Sequence, residues 1–218
     1  NYMAHEYMRE FNAEKKIGPD IMGVWSEWWK DYFEQNSNLY GIVEVSGELR
    51  KSKIQNSDKP KQIKKVLWIS EPLIEPEEVI EYMRYFKNNY QLIIKKRPST
   101  NDIFYNKLIK EYQDFTDITI LEGDILDSIK ECDLVVGSHS TAVIEASKLN
   151  KPFLLVNTKK WRNYFEVNEE LFIENISTIE NKLDNVTGID FFKLKEKYFG
   201  KDEDNGVLWL VRKIKNGK

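Results

Sequence analysis

The stretch Cys132-Asp133-Leu134-Val135-Val136-Gly137-Ser138-His139-Ser140-Thr141-Ala142-Val143-Ile144-Glu145-Ala146 decides the reading of this chain. A short apolar run ends at a glycine, four hydroxyl or imidazole side chains follow, and an apolar helical pattern begins. The spacing predicts a buried strand, a tight turn, and a helix whose first turn is Ser138, His139, Ser140 and Thr141. The first N–H groups of a helix have no partner within it, and the helix dipole adds partial positive charge there. Gly137 admits a ligand close to the backbone. Hydroxyls and N–H groups together can hold a phosphate without a metal ion. Glu145 lies about one turn further in, on the side of Thr141, within reach of sugar hydroxyls. The plainer alternative is that Ser140 or Thr141 only caps the helix and that Glu145 is solvated.

Working outward, strands and helices alternate. Val66–Ile69, Gln91–Ile94, Ile118–Leu121, Leu134–Val136 and Lys151–Val156 read as strands. Between them lie helical patterns starting at Pro76, at Ile103, at Ile125 and at Ala142, the last running to Leu149. This order predicts an α/β fold, a parallel sheet with helices on both faces. Ligands of such sheets sit beyond the carboxyl ends of the strands, so the loops after Ile69, Ile94, Leu121, Val136 and Val156 matter most. Upstream, Asp20–Trp25 and Ile42–Val45 read as short strands around a helix capped by Ser26 and carrying Trp28, Trp29, Tyr32 and Phe33. The predicted organisation is 1–47, a fragment of a second α/β domain; 48–65, a polar, lysine-rich linker; and 66–218, a nucleotide-binding domain with a helical tail from Leu171.

Two further loops carry candidate chemistry. Lys95-Lys96-Arg97 ends a strand, so three cations are expected to face the crevice of the Ser138 turn. Arg97 suits bidentate phosphate contact and Lys95 adds charge; a solvated basic loop is the alternative. In Glu122-Gly123-Asp124, Gly123 allows backbone approach to a flat base, or makes an ordinary turn. There are only two histidines, His5 and His139. No ligand spacing supports a metal site, and no glycine-rich nucleotide fingerprint or glycine-flanked serine elbow is present.

Composition sets the outer limits. The 218 residues carry 33 basic and 36 acidic side chains, a net charge of −3, which does not point to nucleic acid. The single cysteine, Cys132, excludes an internal disulfide and suits a reducing cytoplasm. No apolar stretch is long enough to span a bilayer. The chain opens at Asn1-Tyr2, and the expectation is that it lies inside a longer protein.

With these residues in view, Asp133 through Ala146, followed by Asn150-Lys151-Pro152-Phe153-Leu154-Leu155-Val156, resembles the donor-site turn, helix and next strand of GT-B glycosyltransferases. The likeness is to bacterial capsule, teichoic-acid and surface-carbohydrate enzymes. It implies a Rossmann-like donor domain preceded by part of an acceptor domain. It also implies a nucleotide-activated donor, a polysaccharide or lipid-linked acceptor, peripheral membrane association and no cofactor. Donor phosphate would fall to Ser138, Ser140 and Thr141, and ribose to Glu145. Ile93-Ile94-Lys95-Lys96-Arg97-Pro98 is similar to the family's strand ending in a His-Pro pair, with arginine here in place of histidine. That change keeps a phosphate contact and removes a proton-transfer role. His5-Glu6 falls where many relatives carry a histidine near the reaction centre; His5, and His139 from its place inside the turn, are the catalytic candidates. The Trp25–Trp29 region is the candidate contact for a missing domain or a second copy. Epimerases of the same fold share the Ser-Thr turn, and a non-catalytic binding or assembly module would keep the fold as well.

Overall fold

The computed structural model describes residues 19–36, 40–49, 59–71, 73–97, 102–158 and 165–216. The chain divides into two units, one of Asn1–Ile54 with Lys193–Lys218, the other of Gln55–Phe192. The tail, expected to belong with the later domain, differs: its last part, from Lys193, groups with the first segment.

In the larger unit, β3 (Lys65–Ile69), β4 (Gln91–Lys95), β5 (Thr119–Leu121), β6 (Leu134–Gly137), β7 (Phe153–Val156) and β8 (Phe172–Ile173) form one parallel sheet. The strand order is β5-β4-β3-β6-β7-β8. Val66, Leu67, Trp68 and Ile69 of the central strand are all buried, as in a sheet covered on both faces. The chain winds outward from β3 in one direction through β4 and β5. It then returns beside β3 and winds the other way through β6, β7 and β8. With the right-handed crossovers that parallel strands favour, this winding sets the helices of the two halves on opposite faces. The order reverses between β3 and β6, the switch point beyond whose strand ends open sheets of this kind bind ligands.

The helices follow their sequence signals. Helix α2 (Pro76–Asn89) has proline at its first turn, and the Glu75 N–H donates to the Glu78 carboxylate at 3.3 Å. Val79, Ile80, Met83 and Phe86 form its buried stripe, each contributing about 1.5–3 kcal/mol on burial. Helices α3 (Ile103–Glu111) and α4 (Ile125–Lys130) are capped by Asp102 and Asp124.

The helix expected over Ala142–Leu149 takes another form. Only α5 (Thr141–Ile144) is α-helical, and Glu145–Leu149 tightens into a 3₁₀ turn. The Ser147 hydroxyl donates to the Ile144 carbonyl at 2.7 Å, competing for a helical acceptor. Asn150, at φ 53°, ends the segment in the left-handed conformation. Strand β8, within the stretch expected to be helical, pairs through only two residues. Helix α6 (Ile179–Val186) follows it, burying Ile179, Leu183 and Val186.

The smaller unit holds a parallel pair, β1 (Ile21–Val24) and β2 (Ile42–Val45), with α1 (Glu27–Asn36) as the crossover. Helix α7 (Phe191–Phe199) supplies Tyr198 and Phe199, and α8 (Gly206–Asn216) supplies Trp209. Trp29 donates its indole N–H to the Tyr198 carbonyl at 2.9 Å, and Trp25 stacks on Phe199. The row Trp25–Trp29, expected to meet an outside partner, is thus packed against aromatic side chains of this chain. Trp209 Nε1 and Lys213 Nζ both donate to the Glu44 carboxylate, at 3.0 and 2.6 Å.

Candidate functional site

The switch point brings three loops together: Ser70-Glu71 after β3, Lys96-Arg97 after β4, and the Ser138 turn after β6. Two buried carboxylates tie them. Asp102 accepts the Ser70 hydroxyl at 2.6 Å, the Arg97 N–H at 3.0 Å and the Tyr105 N–H at 3.0 Å. It joins the β3 loop to the β4 loop while capping α3.

Glu71 joins the β3 loop to the turn on the other side. Its carboxylate accepts the backbone N–H of Ser138 and, at 3.1 Å, that of His139. Its Oε2 lies 3.4 Å from His139 Nδ1, an ion-pair spacing when the imidazole is protonated. Burial pushes the Glu71 carboxyl up to about 7, against the opposing pull of the N–H groups of Ser138, His139 and Ser140 and of the Arg97 charge. Burial also lowers His139, while the Glu78 charge raises it.

This contact explains Gly137. A Cβ there would stand 2.5 Å from Val143 Cγ2 and 3.0 Å from Glu71 Oε1. The glycine lets the strand end pack on the Glu71 carboxylate, where the sequence reading reserved the space for a ligand.

The remaining candidates are distributed as follows. The Ser138 hydroxyl is buried and donates to the Val156 carbonyl at 2.8 Å. The Ser140 hydroxyl caps α5 by accepting the Ala142 N–H at 3.2 Å. Thr141, the first residue of α5, is half-buried. Glu145 Oε2 is 3.4 Å from Lys148 Nζ. Arg97 is exposed, and its charge acts on Glu71.

The three cations do not face one crevice. Lys95 is buried, donates to the Lys96 carbonyl at 3.0 Å, and has Asp124 and Glu122 as its charged neighbours. Burial lowers its pKa. Lys96 pairs with Glu122 at 3.2 Å. Lys95 and Lys96 both turn to the acidic loop after β5, while the Arg97 charge acts on Glu71. Gly123 has φ 85°, a conformation that favours glycine, and a Cβ there would meet open space. His5 lies outside the described residues. Among the described residues, no group of three His, Cys, Asp or Glu side chains is arranged to hold a metal ion, and no helix is long and apolar enough to cross a membrane.

Sequence reading missed Ser70, Glu71 and Asp102. Their signal was position: Ser70 and Glu71 directly follow the apolar run Val66–Ile69, at the carboxyl end of a strand.

No protein-family model matches the sequence, and no curated protein matches it. Among solved structures, Anabaena Alr3699/HepE in complex with UDP-glucose is similar at 13% identity and a TM-score of 0.52, over 91% of this chain and 64% of that one. A TarM variant from S. aureus, solved with fondaparinux, alpha-GlcNAc-glycerol and UDP, is similar at 12% identity and a TM-score of 0.49, over 98% of this chain and 46% of that one. The pneumococcal O-GlcNAc transferase GtfA, solved with UDP and GlcNAc, gives 11% identity and a TM-score of 0.44, over 90% and 44%. The chain spans less than half the length of the TarM and GtfA structures. At these identities the likeness, carried by HepE, is one of architecture: the chain has the Rossmann-like α/β fold of the GT-B glycosyltransferases.

Proposed function

We propose that this chain binds the nucleotide-activated donor of a glycosyltransferase, moving a glycosyl or glycerophosphate-type group to a surface-polysaccharide or lipid-linked acceptor without a metal ion. The observation that carries the reading is the switch point itself. Arg97 stands on one side of the β3 loop and the Ser138–Thr141 turn on the other, at the edge where such sheets bind ligands. Donor phosphate would lie against Arg97 and the Thr141 hydroxyl, and Glu145 would take a ribose hydroxyl. The departing nucleotide phosphate would be stabilised by fixed positive charge and hydrogen-bond donors in place of a cation. The likeness to HepE, solved with UDP-glucose, supports a nucleotide-sugar donor.

One observation favours the non-catalytic reading. The N–H groups of Ser138 and His139, expected to greet a phosphate, already serve Glu71. Thermal-shift titration with CMP, CDP, UDP and GDP separates the two. Stabilisation of about 2.7 kcal/mol is expected at a hundredfold excess over the dissociation constant. No shift with any of the four at millimolar concentration would leave the binding-module reading in its place. Release of free sugar and nucleotide from a nucleotide-sugar without acceptor would point to an epimerase.

A further inference from the structure

Buried Glu71 and half-buried His139 form an acid–base pair beside the turn, and holding the donor does not require either as a ligand. Glu71 is 3% exposed, takes two backbone N–H groups of the turn, and reaches His139 Nδ1 at 3.4 Å. Charged groups act on the pair from two further elements: Arg97, from the β4 loop, on Glu71, and Glu78, from α2, on His139. A phosphate set against Arg97 and Thr141 would bring fresh negative charge close to a carboxylate that water cannot screen. Two like charges so placed in a poorly polarisable interior repel strongly, and one of them is relieved by a proton.

We propose that Glu71 is the positioning residue of this turn, and that its carboxyl, beside His139, takes up a proton from solvent as the donor phosphate docks. The inference rests on the donor-binding reading above. The bookkeeping is simple: one proton from the buffer joins the carboxyl, no other bond forms or breaks, and the proton returns to solvent when the nucleotide leaves. A protonated carboxyl still accepts the N–H groups of Ser138 and His139 through its oxygens. The turn therefore keeps its shape while its own negative charge is removed. Burial already holds Glu71 near 7, so the proton is available close to neutral pH. A brace that served structure alone would change stability without changing any proton count.

The test is calorimetry of the whole chain with the nucleotide that gives the largest thermal shift among CMP, CDP, UDP and GDP. Binding is measured near pH 7.5 in buffers of different ionisation heat. Wild type is expected to take up on the order of half a proton, and Glu71→Gln clearly less. Affinity should rise for wild type as pH falls from about 8 to 6.5, and this rise should flatten in Glu71→Gln. Binding with no buffer dependence, or equal uptake by both proteins, overturns the proposal and leaves the donor reading standing. Should Glu71→Gln fail to fold, infrared difference spectra of wild type decide. A protonated-carboxyl band appearing with nucleotide is expected, and its absence refutes the proposal. No binding of any of the four nucleotides sinks the donor reading and this proposal together.

Discussion

Two carboxylates brace the carboxyl edge of the sheet, one on each side of the β3 loop, and they are held differently. Asp102 takes one hydroxyl and two backbone N–H groups, and it sits at the start of the nine-residue helix α3. Those donors have fixed charge. Glu71 takes backbone N–H groups and faces an imidazole, a titratable group whose pKa burial holds below its ordinary value. Both are 3% exposed. The first arrangement is an N-cap extended to a neighbouring loop. The second places a titratable pair at the switch point.

The largest expected effect separates the two braces by stability. Glu71→Ala leaves the buried Ser138 N–H and the part-buried His139 N–H without their acceptor and opens space beside Gly137, costing about 3 kcal/mol. Asp102→Ala removes a cap, leaves the part-buried Arg97 and Tyr105 N–H groups to find water, and frees the buried Ser70 hydroxyl to rotate to another acceptor, costing about 1.5 kcal/mol. Urea unfolding of the two variants measures the gap. Equal losses would mean that the turn is no more dependent on its carboxylate than α3 is on its cap.

Next in size is the effect of Arg97→Ala. Its side chain is exposed, so unfolding free energy should move by less than about 0.5 kcal/mol. Nucleotide affinity should fall by roughly 1.5–3 kcal/mol, the range for a hydrogen bond to a charged group. Removing that positive charge should also raise Glu71 further. Loss of stability with unchanged nucleotide affinity would assign Arg97 to the Asp102 brace and take it away from the crevice.

How much of this was legible in the sequence follows from the range of each interaction. The sheet was legible because each strand is a local apolar run, and the edge carrying the loops follows from chain direction. Arg97 and the turn could be placed at one edge for the same reason. Glu71 was hidden because its partners are 67 and 68 residues away. In sequence, Ser70-Glu71-Pro72 looks like an ordinary polar loop, and nothing local marks the glutamate as buried. The short helix after the turn was misjudged because apolar periodicity is shared by α and 3₁₀ segments of this length. The grouping of Lys193–Lys218 with the first unit depends on contacts such as Ser26 with the Lys197 carbonyl, 171 residues apart.

The smallest expected effect is the pH dependence of stability, because the two members of the pair oppose each other. Glu71 is raised in the folded state, from 4.5 to about 7, so the native protein binds the extra proton between those values. Its contribution to stability is full below about 4.5 and declines as pH rises through about 7. His139 is lowered from 6.5, so the unfolded chain is the one that binds the extra proton there. Its contribution is full above about 6.5 and is lost as pH falls through the lowered value. In wild type the two slopes partly cancel across the acidic range, leaving a shallow profile. Glu71→Gln should unmask the histidine, with stability rising toward pH 6.5. His139→Asn should unmask the glutamate, with stability falling from pH 4.5 to 7. Urea midpoints of the three proteins across pH 4.5–8 test this directly. Parallel profiles would mean that neither group changes its proton affinity on folding. Glu71 would then be a second fixed brace, equivalent to Asp102.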